Sequence, residues 1–394
     1  MNDRAIALAL GIVASLAVAA LSLGVTTDYD YYGRLAAAIL DGRPYLDDAP
    51  SWLNELIPCG EARWCVVYPP LPALLAVPLA AFVTPAMAQE LVSHLAAGAS
   101  CGVLYLALRA YGAPRWVAVT GAVLSAFGTT LLFSAADARV WYAAHSVAVL
   151  FASAALLVAA RGGPAWQVGA LVGLAALARL PVAGAALGLA LLAARRANAP
   201  FGRTLGLVVL GGLPFALAYV AWNLIRWGTV IDQGYALLTV DDHFFRSGLF
   251  SPVYLPRHLY AIFMEAPDLV EGEWAFLRPR IVGMSLFLTT PAFLWVFGGL
   301  RHVRRDAALG AVAVAAAVAL VPDVLHGTVG FAQFGYRFSL DAQPFLVTLA
   351  LAGDALRGGV WRERPSVLFV VATLAAIVVN VYAAVAIIHF GYWQ

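Results

Sequence analysis

Thr26 to Leu40, TTDYDYYGRLAAAIL, places two aspartates, three tyrosines and an arginine at the end of a twenty-residue apolar run. A carboxylate in such a place can serve as a general base toward a hydroxyl. Two helical residues that are two apart differ by about 200° around the axis, so Asp28 and Asp30 cannot share a face if both are helical. Asp30 precedes Arg34 by four residues, the spacing of an ordinary helical ion pair. Asp28 precedes Tyr32 by one turn and reads either as a base or as a helix N-cap. Either Asp28 or Asp30 could supply such a carboxylate.

Other candidate chemistry is spread along the chain. Arginine holds phosphate through paired hydrogen bonds. A charge at membrane depth costs about 2.5–3.5 kcal/mol and is usually paired or functional. Arg179 therefore reads as a paired or functional group or as a snorkelling side chain. Arg337, in GYRFSLD, has the same two readings, with an ion pair to Asp341 as a third. The stretches DDHFFR at 241–246 and YLPRHLY at 254–260 bring Asp242, His243 and His258 among aromatic residues. That mixture suits sugar recognition, and equally a loop resting on lipid headgroups. Trp52, Trp64 and Trp274 are expected to anchor loops at the membrane interface.

Several chemistries are unsupported. The seven histidines are scattered without a His-x-x-x-His pair. No phosphate-binding glycine loop occurs, nor a nucleophile elbow. No metal and no cofactor are expected. Cys59 and Cys65, in PCGEARWC, lack a histidine partner for metal binding. They are expected to form a local disulfide on an oxidising face, while Cys101 lies inside an apolar span.

The elements that must position these residues are hydrophobic helices. Of 394 residues, 62% are hydrophobic and 12% charged, against about 25% charged in soluble domains. Lipid is the solvent, and nucleic acid is not a partner. A span needs about 20 apolar residues. Eleven are expected, at 5–24, 87–108, 116–133, 143–160, 166–179, 182–194, 205–224, 281–299, 307–325, 342–356 and 366–388, with 166–194 as a tight hairpin or one broken helix. The first run exceeds the roughly 7–15 residues of a signal core, so it is expected to remain as a span. The chain has no lysine. With the N-terminus inside, the short inner connections take most arginines, while the short outer ones hold only Arg139, Arg179 and Arg337, as the positive-inside rule requires.

Long outer loops fall at 25–86 and 225–280. Within the first, Tyr32, Leu35, Ala36 and Ile39 form one apolar helical stripe, read as an interfacial helix. Gly-Arg-Pro at 42–44 ends it, and Tyr-Pro-Pro-Leu-Pro at 68–72 begins another.

The order Asp28-x-x-x-Tyr32, Gly-Arg-Pro-Tyr at 42–45 and Tyr68-Pro69-Pro70-Leu71 resembles the GT-C superfamily of membrane glycosyltransferases. That group includes polyprenyl-phosphate-mannose mannosyltransferases and the aminoarabinose transferase of lipid A. The stretches at 173–192, 222–235 and 334–345 extend the resemblance along nearly the whole chain. It implies an all-α membrane fold of about eleven spans with interfacial helices in the first outer loop, forming one transmembrane domain over residues 1–394. It further implies an inverting transferase in the plasma (inner) membrane, working at its outer face. The enzyme would move a sugar from a polyprenyl-phosphate donor to a hydroxyl of a glycan, glycolipid or protein. Asp28 aligns with the family's base; Tyr29 stands where many members carry a second acid, so Asp30 remains the alternative. Tyr32, Arg34, Arg63, Tyr68, Arg179, Asp242, His243, His258, Tyr336 and Arg337 are the expected substrate-binding residues. The leaving group carries a single phosphate, so a divalent ion is not required, although some members use one. A transporter or flippase for lipid-linked sugars is the rival reading, disfavoured by acids crowding the outer surface rather than the midplane. A non-catalytic relative of the same fold is the third.

Overall fold

A computed structural model describes residues 2–272 and 276–393; the expected anchor Trp274 lies outside them. The chain is mostly helical. In order, its first half contains α1 (Asp3–Leu21), α2 (Tyr31–Leu40), β1 (Leu56–Gly60), β2 (Arg63–Val66), α3 (Leu71–Ala80), α4 (Pro85–Tyr111), α5 (Arg115–Phe127), α6 (Leu131–Asp137) and α7 (Val140–Ala160). The second half begins with α8 (Ala165–Ala176), α9 (Ala185–Arg196), α10 (Phe201–Trp227), α11 (Gly234–Leu238) and α12 (Leu255–Phe263). It ends with α13 (Leu286–Thr289), α14 (Val296–His302), α15 (Ala307–Val324), α16 (Gln343–Ala355) and α17 (Val367–Phe390).

Among the described residues six helices are long and apolar enough to cross a membrane: α1, α4, α7, α10, α15 and α17. A seventh span results if α5 and α6, bent by 46° at their junction, are taken as one. The expectation of eleven spans is not confirmed by these helices. The segments at 166–179, 182–194, 281–299 and 342–356 form shorter or interrupted helices. Proline explains three of the breaks, because it removes a backbone donor and disfavours helix in the residue before it. Pro181 and Pro291 lie in 3-10 turns, Leu180–Gly184 and Pro291–Trp295. Pro344 stands in the first turn of α16, after a 3-10 turn at Arg337–Ala342.

Small residues let the long helices approach closely. A Cβ at Gly102 of α4 would stand 2.3 Å from the Ala7 carbonyl oxygen of α1, a close backbone approach that helices packed in lipid use.

The first loop is built on the start of α4. Tyr32, Leu35 and Ala36 are fully buried, so the stripe of α2 faces protein, packing against α3 and α4. Gln89 holds the start of α2. Its Oε1 accepts the Tyr32 N–H at 2.9 Å, and its Nε2 donates to the carbonyls of Tyr29 and Ala138 at 3.0 and 2.8 Å. Strands β1 and β2 form an antiparallel hairpin closed by the Cys59–Cys65 disulfide. Arg226, buried near the end of α10, donates to the Val66 carbonyl at 2.7 Å and to Asn223 Oδ1 at 2.8 Å. The hairpin is thereby fastened to the helical bundle.

Candidate active site

The acidic rim comes first. Helix α2 begins at Tyr31 with Asp30 at its N-cap position, which corrects the expectation that Asp28 caps it. Asp30 is buried and accepts from Arg34 Nε at 2.7 Å. Burial raises its carboxyl above the ordinary range, against the opposing pull of Arg34. Asp28 lies ahead of the helix, exposed, with no hydrogen-bond or ion-pair partner among the described residues. The rim also holds Glu90, which accepts the Thr27 N–H at 2.8 Å, and Asp137, paired with Arg139 at 3.1 Å. Ala138 adopts φ 54° between them, a left-handed conformation that is uncommon for a residue with a side chain.

An aromatic wall continues inward from the rim. Tyr29 meets Trp141 with ring centroids 5.0 Å apart, and the Arg139 guanidinium stands 5.4 Å from the Tyr29 ring. Trp141 Nε1 donates to Glu55 Oε2 at 2.8 Å and lies 2.6 Å from the Tyr68 hydroxyl. Tyr68 donates its own hydroxyl to the same Glu55 oxygen. The Tyr68 ring makes edge contacts with Tyr31, Tyr32 and Tyr235. Glu55 is only partly accessible, and desolvation raises its carboxyl to about 7, with Trp141 and Arg337 opposing the rise.

Two arginines lie beyond that wall. Arg179, in the break between α8 and α9, donates to Asp341 through Nε at 3.2 Å and Nη2 at 2.8 Å, and to Asp323 Oδ1 at 3.4 Å. Asp341 also faces His145 Nδ1 at 2.9 Å. The snorkelling reading of Arg179 is therefore wrong, and so is the pairing of Arg337 with Asp341. Arg337 is buried, makes one 3.3 Å bond to the Phe331 carbonyl, and has no carboxylate partner among the described residues. Its Nε has no acceptor. Its guanidinium stands 5.4 Å from the Tyr142 ring and 5.5 Å from that of Phe338. Tyr142 abuts Trp141 at 6.2 Å, so Tyr29, Trp141 and Tyr142 form a continuous path from the acidic rim to Arg337.

The structure thus gathers Asp28, Asp30, Tyr32, Arg34, Tyr68, Arg179 and Arg337 around one end of the bundle. His258 and Tyr336 are committed to each other at 2.8 Å, with the second imidazole nitrogen 2.9 Å from the His326 carbonyl. Arg63 is exposed and lies over Tyr45 at 4.7 Å. His243 is exposed, and Asp242 accepts the Phe244 N–H at 2.8 Å as a local turn cap. No hydrogen bond or ion pair joins Arg63, Asp242 or His243 to Glu55, Arg179 or Arg337. Trp52 is 51% exposed, whereas Trp64 is half-buried against the tyrosine cluster. Sequence reasoning missed Glu55, Asp137, Trp141, Tyr235 and the Asp341–His145 pair. The visible signal was the acid and the imidazole inside otherwise apolar stretches, where an ionisable group is costly unless partnered.

Neither a protein-family model nor a curated protein matches the chain. Among solved structures, the oligosaccharyltransferase of Archaeoglobus fulgidus in its apo form matches with a TM-score of 0.50 at 16% identity. The match covers 96% of this chain and 55% of that one. The fold is one shared with an oligosaccharyltransferase. At this identity the likeness establishes the fold alone, and the present chain spans about half the length of the archaeal protein.

Proposed function

We propose that the chain is a membrane glycosyltransferase that moves a sugar from a polyprenyl-phosphate donor to an acceptor hydroxyl, inverting the anomeric carbon. The observation that carries this reading is Arg337, a buried guanidinium with an unpartnered Nε and no carboxylate within ion-pair distance among the described residues. A buried cation without a counter-charge is costly, and an anionic phosphate would supply both charge and acceptor oxygens. Arg179, whose donors already serve Asp341 and Asp323, supports that site from behind.

Asp28 is the proposed base, because its carboxylate is exposed and unengaged while that of Asp30 is occupied by Arg34. The acceptor hydroxyl passes its proton to Asp28, and its oxygen forms a bond to the anomeric carbon. The bond from that carbon to the phosphate oxygen breaks, and the polyprenyl phosphate leaves as an anion facing Arg337. A fixed cation at the departing oxygen favours this step because charge develops there. The acceptor is a glycan, glycolipid or protein hydroxyl, and the reaction runs at the outer face of the plasma membrane.

The test is incubation of purified protein with radiolabelled polyprenyl-phosphate sugars, reading donor binding and release of polyprenyl phosphate. Arg337→Ala should weaken donor binding by at least about tenfold, as expected for a lost charge-assisted contact. Arg337→Lys should recover only part of it, since an ammonium lacks the planar fork. A wild-type protein that binds no member of the panel would overturn the reading.

A further inference from the structure

We propose that Glu55, carried at the foot of the disulfide-closed hairpin, is a specificity-determining residue that accepts hydrogen bonds from hydroxyls of the donor's sugar. This inference rests on the donor reading above and adds a second contact region to it, distinct from the phosphate-facing Arg337.

The argument begins with the two oxygens of one carboxyl group. Glu55 Oε2 receives both the Tyr68 hydroxyl and the Trp141 indole N–H, whereas Oε1 has no partner among the described residues. An ionised carboxylate only accepts, and offers about four lone-pair sites. Half of its capacity is therefore open in a side chain that is not fully buried. Its position is fixed on three sides. The Glu55 N–H donates to the Tyr31 hydroxyl at 3.1 Å, Tyr68 and Trp141 hold Oε2, and the hairpin that follows is tied to α10 through Arg226. A group held this firmly with one oxygen unoccupied is preorganised for a ligand that donates.

The chemistry of that ligand follows from the surroundings. Phosphate is repelled by a carboxylate, so Glu55 cannot share the role of Arg337. A neutral polyol fits, because each hydroxyl donates one hydrogen bond and the carbon faces of a sugar ring pack on aromatic rings. Trp141 and Tyr68 touch the carboxyl group, and Tyr29 and Tyr235 pack their rings against those two. Trp141 joins the two regions, since its Nε1 donates to Glu55 and its ring abuts Tyr142, which the Arg337 guanidinium faces at 5.4 Å, so a molecule carrying hydroxyls next to a phosphate would meet both groups at once. A sugar phosphate ester has that layout.

The experiment compares two ligands on the full chain in detergent or nanodiscs: a polyprenyl-phosphate hexose and the sugar-free polyprenyl phosphate. In Glu55→Gln the hexose lipid should bind at least about tenfold more weakly, while sugar-free lipid stays within about twofold of wild type. Glu55→Asp, which keeps the charge but retracts it by one methylene, should show the same split and serves if the Gln variant folds poorly. Arg337→Ala, in contrast, should weaken both lipids. Equal weakening of the two lipids in the Glu55 variants, or weakening of neither, overturns the role of Glu55 alone. Wild-type protein that binds neither lipid overturns the donor reading, and this inference with it.

Discussion

Arg179 and Asp341 lie 162 residues apart and meet in a two-pronged pair, Nη2 to Oδ2 at 2.8 Å and Nε to Oδ2 at 3.2 Å. Asp341 is almost fully buried, so removing the cation strands a charge away from water. Arg179→Ala should therefore cost about 3–5 kcal/mol of stability, as loss of one partner of a buried pair does. The measurement is the thermal midpoint in detergent, and Arg179→Ala/Asp341→Ala should lose less than the sum of the single variants. An unchanged midpoint in Arg179→Ala would free that arginine for direct phosphate binding.

That pair also illustrates what the sequence could not display. Arg337 and Asp341 have the four-residue spacing of an α-helical ion pair, but the segment Arg337–Ala342 is a 3-10 turn. With three residues per turn, positions i and i+3 eclipse and i+4 points about 120° away. Asp341 is thereby released toward Arg179. The long helices α1, α4, α7, α10, α15 and α17 were legible because uninterrupted apolar runs have few alternatives in lipid. The shorter ones were not legible as interrupted helices, since hydropathy registers composition and not where Pro181, Pro291 and Pro344 stop the ladder. Tyr68 and Arg337 were legible as residue types. Glu55 was not, because it stands in a loop without periodicity and its importance arises from Trp141, 86 residues away.

Gly33 controls how α2 sits on α4. A Cβ there would fall 1.8 Å from the Pro85 carbonyl oxygen, a backbone atom that cannot yield cheaply. Gly33→Ala should cost about 1–3 kcal/mol, the range for overpacking, and should reduce turnover by displacing the Asp30 end of the helix. Gly206→Ala in α10 meets nothing within 4 Å and serves as the control, neutral or stabilising by up to about 1 kcal/mol. Equal midpoints for the two variants would mean that the close approach is relieved at no cost.

The sign of the Glu55 shift gives a pH prediction. Its carboxyl rises from an ordinary 4.5 to about 7 because burial disfavours the charged form. The folded state then holds its proton more tightly than the unfolded state. That stabilisation is fully present below about pH 4.5 and is lost as pH rises through about 7. The thermal midpoint of wild type relative to Glu55→Gln should thus fall across that window and level off above it. A difference that stays flat would place the Glu55 carboxyl at its ordinary value.

The two aspartates of the opening loop separate in a turnover assay. Asp28→Asn preserves shape and removes a basic oxygen from a side chain that has no partner to lose, so folding and donor binding should match wild type. Turnover should fall at least about a hundredfold, the low end for loss of a general base. Asp30→Asn, in contrast, gives up the 2.7 Å contact with Arg34, a partner that is itself 29% exposed. It should lower the thermal midpoint slightly, by the about 1 kcal/mol or less of a solvent-accessible pair, and keep most of its turnover. Donor binding measured on the same preparations separates a chemical defect from misfolding. If Asp30→Asn is inactive and Asp28→Asn active, the base is the buried carboxylate and Arg34 must release it during the reaction. If both variants turn over normally, the proton leaves by another route and the assignment of either aspartate as base is wrong.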